Sequence, residues 1–250
     1  MITTKVKNII FNDGKPKICV PITGSTDEQI LNDFEILENL DFDLVELRID
    51  YYEHVENFNK VSGLLRKIRK SYAKPLLFTF RTVQEGGMHD ISEEKYFSLN
   101  HFAIESRLVD MLDIELFNSQ EEIKKIIDNA RLNNVKIIMS NHDFNKTPSK
   151  EEIIHRLTKM QEYGADITKI AVMPNTEEDV LTLISATLEM KKTEADRPFV
   201  TISMGSLGVI TRLTGELFGS CMTFAALNNT SAPGQINVRN AREILELLSI

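Results

Sequence analysis

Cysteine is scarce in this chain of 250 residues: Cys19 and Cys221 are the only two, far apart in apolar stretches, and no Cys-x-x-Cys or His-x-His spacing accompanies them. That excludes a zinc framework or a redox pair and leaves two buried thiols. Long apolar runs are missing too. Nothing approaches the roughly 18–20 residues of a membrane span, and the opening "MITTKVKNIIF" carries no small-residue cleavage signal, so a cytoplasmic protein is expected. Basic clusters are also lacking. The 29 Lys and Arg are scattered among 37 Asp and Glu for a net charge of −8, which argues against a nucleic-acid or anionic-membrane partner. Any anionic ligand is therefore expected to be held by a few local cations. No G-x-G-x-x-G or G-x-x-x-x-G-K-[ST] follows any strand-like run, which removes the usual phosphate cradles of open nucleotide-binding sheets.

What is present is a rhythm. Eight short β-type runs recur: 17–22, 44–49, 75–81, 109–115, 135–140, 167–172, 198–203 and 221–227. Amphipathic stretches fill the gaps. Residues 26–40 place Ile30, Phe34 and Leu37 on one stripe, and 119–131 and 149–163 open with Ser119/Glu122 and Ser149/Glu152, the spacing of capping boxes. Strand starts come about every 30 residues, the size of a βα unit. With 42% hydrophobic residues to build a core, this is the arithmetic of one (β/α)8 TIM barrel over residues 1–250, closed by a last helix at 237–249. Before the first barrel strand, "KVKNIIFNDGKPKI" carries Asp-Gly between alternating residues, which predicts a β-hairpin closing the barrel's bottom. An open doubly wound sheet is the alternative.

Parallel strands covered on both faces usually read as continuous apolar runs. Here polar residues repeat on one face: Glu46 and Arg48, Thr79 and Arg81, Asp113 and Glu115, Ser140 and His142, Lys169, then Thr201 and Ser203. In a barrel every inward face meets on one axis, so these side chains are expected to converge near the C-terminal mouth. Lys169 stands out. Set in "DITKIAVMP", it shares a face with Ile167 and Ala171, and burial beside Arg48 and Arg81 favours a neutral amine, the nucleophile for a carbonyl carbon. A Schiff-base lysine is therefore expected, with a structural ion pair as the bland alternative. His142, at the edge of its strand, suits a proton shuttle beside such an amine, its ring oriented by Asp113 or by Glu85 of the following loop. His54, His89, His101 and His155 fall on loops or helices and read as surface or packing residues.

Six ordered segments, "VELRID", "FTFRTVQEGG", "SNHDF", "KIAVMP", "SMGSLGVITR" and "SAPGQI", together resemble the type I 3-dehydroquinate dehydratases along the whole chain. The resemblance implies a (β/α)8 barrel that dehydrates 3-dehydroquinate to 3-dehydroshikimate in the shikimate pathway, with no metal or organic cofactor, commonly as a homodimer. It assigns Lys169 the imine, His142 the proton transfers and Glu85 the support of His142. Arg212 would clamp the substrate carboxylate, and Glu46, Arg48 and Arg81 would hold its hydroxyls. Ser231 and Gln235 would belong to a lid over residues 228–236. Apart from the resemblance, the inward strand face makes Asp113 a further pocket carboxylate, and Met204, at the end of the seventh strand, reads as a pocket wall. Thr211 stands where the resemblance leads one to expect Ser. Two other readings compete: a class I aldolase, whose phosphate would need glycines such as Gly205 and Gly208, and a barrel that binds ligand without turning it over.

Overall fold

Repeating strand and helix signals organise the computed structural model, which describes residues 2–227 and 230–249. A short hairpin, β1 (Thr4–Val6) and β2 (Ile9–Phe11), precedes the repeats. Then follow β3 (Lys17–Ile22), α1 (Asp27–Leu37), β4 (Leu44–Arg48), α2 (Phe58–Ser71), β5 (Leu76–Thr79), α3 (Glu93–Glu105), β6 (Met111–Glu115) and α4 (Gln120–Leu132). The second half runs β7 (Lys136–Asp143), α5 (Lys150–Glu162), β8 (Ile167–Val172), α6 (Glu177–Glu189), β9 (Phe199–Ser203), α7 (Val209–Leu213), α8 (Gly215–Phe218), β10 (Met222–Phe224) and α9 (Val238–Leu247). Strands β3 to β10 form one parallel eight-stranded sheet in which β10 returns to pair with β3. Between β9 and β10 a Cys221 N–H donates to the Phe199 carbonyl at 2.9 Å and nearly closes the ring. The architecture is the (β/α)8 barrel that the strand spacing predicts.

The two faces of each strand belong to different cores. Outward residues such as Val45, Leu47, Phe78, Leu112, Met139, Ile170 and Val172 pack under the helices, while Cys19, Leu44, Leu77, Met111, Ile138, Ile167 and Val200 fill the lower barrel. Val6, Ile9 and Phe11 of the hairpin join the lower cluster, so the hairpin plugs the N-terminal end as expected. Its turn is elsewhere than the sequence suggests. Val6 pairs with Ile9, the chain reverses at Lys7-Asn8 with Lys7 at φ +51°, and Asp13-Gly14 merely leads into β3.

Three further expectations are corrected. Thr201 and Ser203 point outward, because the Thr201 hydroxyl pairs with that of Thr187 on α6 at 2.7 Å and the barrel interior at β9 is built by Val200, Ile202 and Met204. Ser119 makes no side-chain cap; its N–H donates to Glu93 Oε1 at 2.9 Å instead. At α5 Ser149 accepts from the Glu152 N–H, but Glu152 turns its carboxylate to Arg156 at 2.6 Å rather than back to the cap. The complete box forms at α6, between Thr176 and Asp179. Asn237 caps α9 as its position predicts.

Candidate active site

The polar inward residues lie one strand-repeat above the apolar plug. Register puts Glu46 against Leu77, Thr79 against Asp113, Glu115 against Ser140, and Ser140 against Lys169, so the charges step up from strand to strand and meet across the barrel interior. Lys169 is 4% exposed, with its Nζ 3.5 Å from Asp113 Oδ2, 3.9 Å from Glu46 Oε1 and 4.3 Å from the centre of the Phe224 ring. Its close neighbours are thus carboxylates, not the arginines expected from the sequence. Arg81 is engaged elsewhere: Nη2 donates to Asp113 Oδ1 at 2.8 Å, and Nη1 to Glu115 Oε1 at 2.9 Å and Ser140 Oγ at 3.0 Å. Burial works against the Asp113 anion, but Arg81 and Lys169 hold its carboxyl below the usual range. Arg48 makes a two-pronged contact with Asp50, Nε to Oδ1 at 2.8 Å and Nη2 to Oδ2 at 2.9 Å, which fixes the plane of the guanidinium.

Strand β7 runs to Asp143, three residues beyond its predicted end, and carries His142 level with Ala171 on the inward face. Glu85 ends a single 3-10 turn, Val83–Glu85, whose exit at Gly86 takes φ +87°, a conformation that suits glycine. The turn sets Glu85 against His142: Oε2 accepts the His142 backbone N–H and faces Nδ1, both at 2.9 Å. This answers which carboxylate orients the ring, since Asp113 is spent on Arg81, Ser140 and Lys169. Among the described residues Nε2 of His142 has no hydrogen-bond partner, and the ring borders the cavity. Burial, with Arg81, Lys169 and Arg48 nearby, holds the imidazole well below its ordinary range. Burial and the Glu115 carboxylate push Glu85 up to about 8 against the pull of Arg81.

Arg212, on the short helix after β9, is 2% exposed and meets no carboxylate among the described residues. Nη2 donates to the Pro233 carbonyl at 2.9 Å, while Nε and Nη1 are buried and have no partner among the described residues. Burial alone pulls this guanidinium down to about 10. Thr211 does not face the cavity; its hydroxyl accepts the Ser203 N–H at 3.0 Å and donates to Gly208 O at 2.8 Å, locking the β9–α7 turn that aims Arg212 inward. Over the mouth, Gln235 and Ser231 bind each other, the Ser231 N–H to Gln235 Oε1 and Gln235 Nε2 to Ser231 Oγ, both at 2.9 Å. Of the expected lid, 228–229 lie outside the described residues. The rest borders a small cavity lined by Lys169, His142, Glu85, Arg48, Met204 and Arg212. The sequence-predicted residues Glu46, Arg81, Ser231 and Gln235 border the same space, and Asp113 lies just beneath it.

Comparison with known proteins gives this arrangement a family. The family model described as Type I 3-dehydroquinase matches residues 18–250. The chain belongs to the type I 3-dehydroquinase family. It is 49% identical to the 3-dehydroquinate dehydratase of Syntrophotalea carbinolica over 99% of this chain and 98% of that protein, and 50% identical to that of Klebsiella pneumoniae strain 342 over 98% of each. A crystal structure of the type I 3-dehydroquinate dehydratase from Clostridium difficile, with covalently modified comenic acid, superposes with a TM-score of 0.96 at 49% identity, covering 99% of this chain and 97% of that one. As a type I dehydroquinase the chain is an enzyme of the hydro-lyase class.

Sequence reasoning about this dehydroquinase passes over two residues that organise the site, Asp50 and Asn141. Asp50 takes both prongs of Arg48 and also accepts the N–H groups of Arg81 and Met88. Its position two residues after Arg48 in "VELRID" was the available signal. Asn141, buried between Glu85 and α5, gives no signal, because an amide at an outward strand position looks like ordinary packing.

Proposed function

We propose that this dehydroquinase converts 3-dehydroquinate to 3-dehydroshikimate and water by syn elimination through a Schiff base on Lys169, the dehydration step of the shikimate pathway. One observation carries the reading: a buried amine, a neutral imidazole with an uncommitted Nε2 and a guanidinium lacking an anion border the same small cavity. The covalently modified comenic acid in the Clostridium difficile relative supports a covalent step.

His142 Nε2 takes a proton from the Lys169 ammonium, the freed Nζ attacks the substrate's C3 ketone, and His142 returns the proton to the carbinolamine hydroxyl, which leaves as water and gives a protonated imine. Asp113 and Glu46, within 4 Å of Nζ, stabilise that cation as they do the ammonium. The iminium draws electrons from the neighbouring C–H bond, so His142 Nε2 removes the C2 proton and a neutral enamine forms. The enamine pushes out the C1 hydroxyl, which leaves as water with the proton held by His142. Hydrolysis of the imine releases product and restores Lys169. One base on one face of the ring handles both the departing proton and the departing hydroxyl, which makes the elimination syn. Such acid–base help is worth about 10²- to 10⁴-fold.

Arg212 supplies two buried donors for the substrate carboxylate, a planar match that also removes the cost of its uncompensated charge. Arg48 and Glu46 suit the ring hydroxyls, and Ser231 and Gln235 exclude water from above. Arg81, tied to Asp113 and Glu115, fits a second task, fixing the Asp113 carboxylate beside Lys169. The aldolase alternative loses ground here, because the Gly205 N–H is taken by Pro233 O at 3.1 Å and is not free to cradle a phosphate.

Borohydride reduction in the presence of 3-dehydroquinate, followed by peptide mass spectrometry, tests the reading. A reduced adduct on Lys169 is expected; folded, turning-over enzyme with no adduct would overturn the Schiff base.

A further inference from the structure

Glu85 is supported from a second direction. Its Oε1 accepts from Asn141 Nδ2 at 3.0 Å, and Asn141 Oδ1 in turn accepts from Arg156 Nη1 at 2.8 Å. An amide held between a cation and a carboxyl group has one workable orientation, oxygen to the guanidinium and NH2 to the acid. Arg156 is itself fixed on α5, where Nε donates to Glu152 Oε1 at 2.6 Å and the guanidinium lies 5.3 Å over the Phe117 ring. Neither Asn141 nor Arg156 borders the cavity that holds Lys169. They border a neighbouring cleft whose shared wall is Glu85, His142 and Phe144.

The other charges facing Glu85 oppose one another. Arg81 approaches to 3.6 Å, Asp113 and Glu115 face it from β6, and His142 from β7, with Arg48 and Lys169 on the far side of the imidazole. Arg81 is already shared between Asp113 and Glu115. Cationic support from the helix layer therefore reaches Glu85 through the Asn141 amide.

The state of Glu85 decides which ring nitrogen of His142 is a base. An ionised Glu85 accepts the Nδ1–H and leaves the Nε2 lone pair to the cavity. A protonated Glu85 donates to Nδ1, the ring proton moves to Nε2, and the base is lost. We propose that Asn141 and Arg156 are positioning residues for this reaction, shifting Glu85 toward the carboxylate that keeps His142 in its Nδ1–H form. The inference rests on His142 being the base.

The test measures the tautomer of 15N-labelled His142 against pH in substrate-free enzyme, alongside kcat/KM, for wild type, Arg156→Met and Arg156→Lys. In Arg156→Met the change from Nε2–H to Nδ1–H is expected to move up by about one pH unit, giving a roughly tenfold lower kcat/KM at pH 7 that recovers to within about twofold by pH 9.5. Arg156→Lys restores most of the wild-type profile. Should Arg156→Met fold poorly, Arg156→Gln, equally uncharged, must show the same shift. An unmoved tautomer midpoint, or a uniform loss at every pH, overturns the proposal. Because the midpoint is read without substrate, it is independent of whether His142→Ala abolishes turnover, the result on which the base assignment itself depends.

Discussion

Lys169 and His142 carry separable steps, so their losses are expected to differ in kind. Lys169→Ala should leave no turnover and no reducible adduct while still binding substrate through Arg212, which calorimetry with 3-dehydroquinate checks. His142→Ala should still form adduct but turn over about 10²- to 10⁴-fold more slowly, and an unimpaired rate would remove His142 as the shuttle. Arg212 gives a third kind of result. It is buried, and its Nε and Nη1 have no partner among the described residues, so in the free enzyme its charge is a cost. Arg212→Met is expected to raise the melting temperature of substrate-free enzyme while lowering kcat/KM by about 30-fold or more, the loss of a buried charge-assisted contact. Lower stability together with lower activity would mean that the Pro233 contact, not an absent carboxylate, is its main partner.

At the scale of elements, the segment over the mouth is held at one backbone crossing. Pro233 O accepts from both Gly205 N–H and Arg212 Nη2, and Gly234 follows at φ +78° with its Cα so close that an added Cβ would stand 2.3 Å from Gly205 O. Gly234→Ala is therefore expected to unseat residues 231–235 without touching the barrel core. The check is a several-fold rise in KM with a melting temperature within a few degrees of wild type; an unchanged KM would show that the docked segment does not contribute to binding. The same crossing shows how far sequence reaches. "SAPGQ" marks a turn and its residues, but its docking on the β9–α7 turn depends on a strand far away in sequence. Likewise β9 reads polar on Thr201 and Ser203, but that face turns outward, where Thr201 meets Thr187 on α6, while Val200, Ile202 and Met204 fill the interior.

For the whole molecule, the burial of the His142–Glu85 pair makes both activity and stability depend on pH. The Glu85 carboxyl lies at about 8 in the folded protein against roughly 4.3 in an unfolded chain. A group raised on folding stabilises fully below its unfolded value and progressively less as pH climbs through its folded one. Wild type should thus lose stability relative to Glu85→Gln between about pH 4.5 and 8, by an amount on the order of a few kcal/mol, which parallel urea titrations at several pH values measure. The rate follows the opposite trend. The Nδ1–H form of His142 requires ionised Glu85, so kcat/KM is expected to rise with pH through an apparent pKa near 8 that belongs to the pair. A pH-independent stability difference would show that Glu85 is ionised in the fold throughout this range.

The sequence by itself determined the barrel, because period-2 strands alternating with amphipathic helices have few other ways to bury their faces. It also indicated that Lys169, His142, Glu46, Arg48, Arg81 and Asp113 converge, since the inward faces of a closed sheet meet on one axis, although the same reading failed for Thr201 and Ser203. Pairing was not legible. Which carboxylate meets Lys169, which one orients His142, and which arginine is left without an anion depend on distances between strands and loops far apart in the chain. Asp113 and Glu46 flank Lys169 and Glu85 takes His142, while Asp50 occupies Arg48 and Arg212 meets no carboxylate among the described residues. Those assignments exist only once the tertiary structure brings the groups within hydrogen-bond reach, because Coulomb and hydrogen-bond energies depend on separation and burial, not on order along the chain.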